Sequence, residues 1–132
     1  MALVLLLLAA CTRNHGDIGI WFGTWHVNSI TVGGTPATVQ GNYFFQFQNR
    51  VFRVSMVGAH EQQVESYGTW EENEDGTRLT ITFPDPDVFY IDMPGLEARN
   101  EFVVNKIASN RLELYKVLDD GTPCTFILNK QP

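Results

Sequence analysis

Two cysteines, three histidines and nine basic side chains against fifteen acidic ones are a sparse allotment for 132 residues, and each shortage excludes something. The net charge of −6, with acids and bases scattered, excludes nucleic-acid binding, because a phosphate backbone demands a basic groove. His15, His26 and His60 have no metal-ligand spacing, so neither a zinc site nor any other cofactor is expected. No serine sits in a Gly-x-Ser-x-Gly turn, and no pair of residues carries an evident tuned pKa, which argues against an enzyme. Beyond residue 19 no stretch shows a period of 3.6, so helices are not expected. A long apolar run is missing too. Residues 1–10 are apolar, about half of the roughly 20 needed to span a bilayer, which is the size of a signal-peptide core.

That run stops at a cysteine. Leu8-Ala9-Ala10-Cys11 resembles the lipobox of bacterial lipoproteins, with small residues before the cysteine and polar ones after it. The resemblance implies cleavage before Cys11, diacylglyceryl modification of its thiol, and attachment to a membrane through two or three palmitate-type acyl chains. Buried methylenes contribute about 0.8 kcal/mol each, so more than one chain makes the anchor durable. No Lys or Arg precedes the run, a departure from the lipoprotein pattern. Thr12 is not the aspartate that holds many such proteins at the inner membrane, so the resemblance points to the cell envelope at the outer membrane. The expected organisation is a signal peptide over residues 1–10, a polar tether over 11–19 and one folded domain over 20–132. A buried N-terminal element containing an ordinary cysteine is the competing reading.

Apolar residues then recur at period two, the mark of strands with one face buried. Trp25 and Val27 alternate with His26 and Asn28; Tyr43, Phe45 and Phe47 with Phe44, Gln46 and Gln48; Phe52, Val54 and Met56 with Arg53 and Ser55. Val64, Ser66, Gly68 and Trp70 share one face of the next strand, Leu79, Ile81 and Phe83 that of another, and Leu112 with Leu114 and Cys124 with Phe126 and Leu128 complete the pattern. Glu74-Asp75-Gly76 and Asp119-Asp120-Gly121 read as hairpins, as do Gly33-Gly34 and Ser109-Asn110, which predicts an antiparallel meander. Residues 84–87 and 92–100 are irregular and proline-interrupted, and are expected to be exposed loops around a short strand at 88–91. Between Phe102 and Ile107 the register breaks, as a β-bulge would break it. Eight or nine such strands predict a closed all-β barrel, because closure removes exposed edges; an open sandwich is the alternative.

Gly23-Thr24-Trp25 opens the first strand and is similar to the Gly-x-Trp signature of lipocalins. With a second Gly-Thr-Trp at residues 68–70, "YFFQF", "RLTITF" and "NRLELYK", the chain resembles the lipocalin-like domains of Bacteroides-type lipoproteins over about residues 18–130. The resemblance implies an up-and-down barrel of about eight strands that binds an apolar small molecule or none. Lipocalins also set a Lys or Arg over the first-strand Trp; Lys130 and Arg111 are candidates, but neither sits in a matching motif.

If the apolar faces point inward, the ligand-lining residues are Trp25 on the first strand; Tyr43, Phe45 and Phe47 on the next; Phe52, Val54 and Met56; Trp70; Leu79, Ile81 and Phe83; Leu112 and Leu114; and Phe126. None is charged, which favours a small apolar guest. A barrel of this size is also small enough for side chains alone to fill. A filled barrel would act instead through its surface on a protein partner, with Trp21, Phe22 and the 92–100 loop as candidate patches. His26 is expected on a surface strand and Cys124 in the core as a small hydrophobe. Asp75, Asp85, Asp87, Asp119 and Asp120 are expected to serve turns, not chemistry.

Overall fold

The period-two segments form strands in the computed structural model, which describes residues 20–39, 41–58, 63–84 and 93–132. In chain order these are β1 (Gly23–Val32), β2 (Thr35–Pro36), β3 (Gly41–Gln48), β4 (Val51–Gly58), β5 (Gln63–Glu72), β6 (Arg78–Thr82), β7 (Arg99–Ala108), β8 (Arg111–Val117) and β9 (Pro123–Lys130). The two residues of β2 fold back on β1, and the other strands pair antiparallel in sequence order until β9 returns to β1 and closes an eight-stranded barrel. The expected leader, Cys11, the tether with His15, His60, Asp85, Asp87 and the short strand at 88–91 lie outside the described residues. Among the described residues no helix is long and apolar enough to cross a membrane.

Alternation sets which side chains go inside. Trp25, Phe45, Phe47, Phe52, Val54, Leu79, Ile81, Leu114 and Phe126 are fully buried, with Tyr43, Trp70, Phe83 and Leu112 nearly so. Met56, on the same face of β4 as Val54, is only partly buried. The rings fill the interior by edge and tilt contacts: Phe45 to Phe52 at 5.1 Å, Phe47 to Trp70 at 5.2 Å and Phe102 to Phe126 at 5.6 Å between centroids. Edge-to-face pairs of this kind stabilise by about 0.5–1.5 kcal/mol beyond the area they bury. Most of the residues expected to line a lumen therefore pack against one another.

Two bulges break the alternation. The β1–β9 register slips between Val27 and Ser29, so Asn28 is extra and the inward set passes from Trp25 and Val27 to Ile30. The β7–β8 register slips between Lys106 and Ala108, leaving Ile107 exposed, the break anticipated from its spacing. Turn chemistry follows the Asp-Gly signals. Thr122 N–H donates to Asp120 Oδ1 at 2.9 Å while Gly121 takes φ of 90°, a left-handed conformation that favours glycine. In the β5–β6 hairpin the hydroxyl and N–H of Thr77 both donate to Asp75 Oδ1, at 2.6 and 3.1 Å, holding its carboxyl below the usual range.

The lower end, where β1 begins, is closed by indoles. Trp21 is completely buried, lies tilted against Phe47 at 4.9 Å between centroids and donates from Nε1 to Glu72 Oε2 at 2.8 Å. This corrects the expectation of Trp21 as a surface patch: the chain before β1 carries it under the barrel, and only its neighbour Phe22 is exposed, at 58%. Lys130 Nζ lies 5.6 Å from the Trp25 ring centroid, so of the two cations considered it is Lys130 that covers the first-strand indole.

Candidate functional site

The upper end differs, because among the described residues the β1–β3 and β7–β8 ladders stop short there. β1 and β3 pair from Gly23↔Phe47 to His26↔Phe44 and no further. Above that point the Asn28 bulge swings β1 aside, and β2 with the residues after it enters the split, fixed by Ala37 N–H donating to Ile30 O at 2.9 Å. A pocket of about 230 Å³ remains, with Val27, Ile30, Ala37, Val39 and Tyr43 as apolar lining and His26, Asn28, Ser29 and Asn42 as polar lining. His26 Nε2 lies 3.2 Å from Asn42 Oδ1 and its ring 5.2 Å from that of Phe44, an outer-wall position in keeping with the surface-strand expectation.

The second split lies between β7 and β8, whose pairing ends at Val103↔Tyr115. Residues 99–102 continue on β6 alone and residues 116–117 on β9 alone. Into this split point two polar side chains, Asn100 and Lys116, 0% and 2% exposed. Lys116 Nζ donates to Glu97 Oε1 at 2.9 Å and to Asn100 Oδ1 at 2.6 Å, and lies 5.9 Å from the Phe102 ring centroid. Asn100 Nδ2 donates to Glu97 O at 2.6 Å and Ile81 O at 3.3 Å, while Asp119 N–H donates to Glu97 Oε2 at 3.1 Å. A buried ammonium needs a counter-ion and further hydrogen bonds, and here it has both.

Glu97 comes from residues 93–98, and these correct the expectation of an exposed loop over 92–100. Met93 and Leu96 are buried in the core, and Gly95 sits so close to Cys124 and Phe126 that a Cβ there would overlap the Cys124 sulfur. The segment plugs the barrel between β6 and β7. Its lack of period is the signature of a crossing, and its burial depends on partners remote in sequence. Lys116 was absent from the expected lining, although it continues the inward parity of Leu112 and Leu114; that parity was the signal available. Cys124 is buried, as expected, and burial raises its thiol pKa while the Lys116 charge lowers it.

For Glu97, burial pushes the carboxyl up, but hydrogen bonds from Lys116 and the Asp119 N–H, with the Lys116 charge, outweigh it and leave the pKa below its ordinary value. A carboxyl depressed on folding stabilises the fold at pH above its unfolded value near 4.5, and that contribution is lost as pH falls through the folded value. Thermal melts of the native chain and Glu97→Gln should therefore differ most above pH 5 and converge as the pH is lowered from 4.5 through the folded value. A constant difference across that range would exclude the Lys116 pairing as its source.

Among the described residues no group of three His, Cys, Asp or Glu side chains is placed to hold a metal ion. The fold defines a closed, eight-stranded antiparallel barrel of lipocalin-like type, with a packed floor and a split upper wall. No protein-family model matches the chain, and no curated protein matches it significantly. Among solved structures it is similar to a lipocalin-like protein from Bacteroides uniformis, with TM-score 0.64 and 20% identity over 86% of this chain and 100% of that one. An uncharacterised protein from Bacteroides eggerthii gives TM-score 0.61 and 17% identity over 84% and 99% of the two chains. Lobster apocrustacyanin A1 gives TM-score 0.51 and 14% identity over 91% of this chain and 66% of that one. The chain thus has the fold of the Bacteroides lipocalin-like proteins.

Proposed function

We propose that this chain is a lipid-anchored envelope protein whose barrel binds a small apolar ligand and performs no chemistry. The observation that carries the ligand reading is the β1–β3 split, a pocket of about 230 Å³ lined by Val27, Ile30, Ala37, Val39 and Tyr43 with polar groups at its rim. Pockets for drug-sized ligands run from about 300 Å³ upward, so the guest is smaller, held by area with His26 and Asn42 orienting a single polar group. The anchor rests on the Leu8-Ala9-Ala10-Cys11 pattern, with the outer membrane favoured by Thr12. Native mass spectrometry of protein purified from envelopes tests the ligand: a co-purifying apolar small molecule is expected, lost in Ala37→Trp, whose indole fills the pocket. Repeated absence of any such molecule from the native protein sinks the reading. Labelling with a palmitate analogue, expected for the native chain and absent in Cys11→Ser, tests the anchor.

A second reading, a solid barrel acting on a protein partner through its surface, draws on the packed interior and on the exposed Phe22. It gains if Phe22→Ser abolishes capture of a defined envelope protein while the native barrel carries no small molecule.

A further inference from the structure

The Glu97 carboxylate sits in a receptor built by other parts of the chain. Lys116 on β8 and Asn100 on β7 are held rigidly by their strands, and Asp119 presents a backbone N–H from the β8–β9 hairpin. Together the Lys116 ammonium and the Asp119 amide grip both carboxylate oxygens, one each. Of the Glu97, Lys116 and Asn100 side chains, Glu97 is the most exposed. Its side chain is 26% exposed and faces an open groove of about 300 Å³ that enters the wall at the β7–β8 split. Beyond the carboxylate the groove runs over Val103, Tyr115 and Val117, exposed apolar side chains on the outer face of β7 and β8. Arg78 and Arg99 also border it, with Glu101 and Asp119 as the opposing charges.

A buried ammonium cannot be left without a counter-ion, so a Glu97 side chain turned out to solvent requires another anion in its place. The receptor fits a carboxylate, with two hydrogen-bond donors for two oxygens, and the groove beside it fits a short apolar tail. We propose that the β7–β8 split is a binding site for small organic carboxylates bearing a short apolar tail, and that Glu97 is its built-in competitor. The site is separate from the β1–β3 pocket and does not depend on it. Because Glu97 competes from within the same chain, its effective concentration is high and the native protein binds such ligands weakly.

Hexanoate titrated into the full chain, followed by the amide resonance of Asp119, tests this, with 1-hexanol and inorganic phosphate as controls. In the native protein, hexanoate at high concentration should shift the Asp119 amide, and hexanol should not. Glu97→Ala should bind hexanoate at least tenfold more tightly than the native chain, and adding Lys116→Met should abolish the gain. Should Glu97→Ala fail to fold, Glu97→Gln keeps the shape and an acceptor for Asp119 and should still gain severalfold. An Asp119 amide unmoved by hexanoate in the native chain overturns the proposal, as does a folded Glu97 variant with no gain. Phosphate acting as strongly as hexanoate overturns the ligand class.

Discussion

Phe126→Ala is expected to destabilise the barrel by about 4 kcal/mol, lowering the melting temperature by roughly 15 °C, measured by thermal and chemical denaturation. The Phe126 ring is completely buried, 6.1 Å from Phe45 and 5.6 Å from Phe102, and it supports the Gly95 turn from below. Truncation leaves a cavity surrounded by aromatic rings fixed to different strands, and such walls cannot collapse inward without breaking ladder hydrogen bonds. Phe126→Leu, which keeps most of the volume, should cost well under half as much. Equal losses for the two variants would mean that the interior is loosely packed and that ring contacts contribute little.

Gly95→Ala is expected to cost about 3 kcal/mol for a single methyl group. Gly95 has φ of 81°, where a side chain is strained, and its Cβ would lie within 3.1 Å of the Phe126 ring as well as overlapping the Cys124 sulfur. Neither neighbour can retreat, since both are on β9 between its pairings with β8 and β1. Cys124→Ala should therefore recover part of the loss, about half, when combined with Gly95→Ala, while the backbone strain stays. Denaturation of both single variants and the double variant reads this coupling directly. Strict additivity would show that residues 93–98 lift off without resisting, and that the plug is not part of the cooperative fold.

These two variants separate what is local in this protein from what is not. Period-two spacing placed Phe45, Ile81, Leu114 and Phe126 inside, because a strand sends alternate side chains to opposite faces and water penalises the wrong choice. Asp-Gly pairs marked the hairpins for an equally local reason: the glycine at each turn takes positive φ. The burial of Trp21 is not legible locally, because a residue just before a strand has no parity of its own. Only the approach of Phe47, Trp70 and Glu72 from distant strands buries it. At Lys116 two local signals conflict, since a charge is ordinarily outward while its parity points in. Whether a buried ammonium can be tolerated depends on a carboxylate nineteen residues away along the chain.

The amino-acid order by itself determined the class of fold, the inward faces and the turns, since each follows from the geometry of a few consecutive residues. Tertiary structure alone decided where the wall opens, which loop plugs it and which charges meet there. Strand register, the Asn28 bulge and the pairing of Glu97 with Lys116 are settled by contacts between segments far apart in sequence, and no local pattern encodes them.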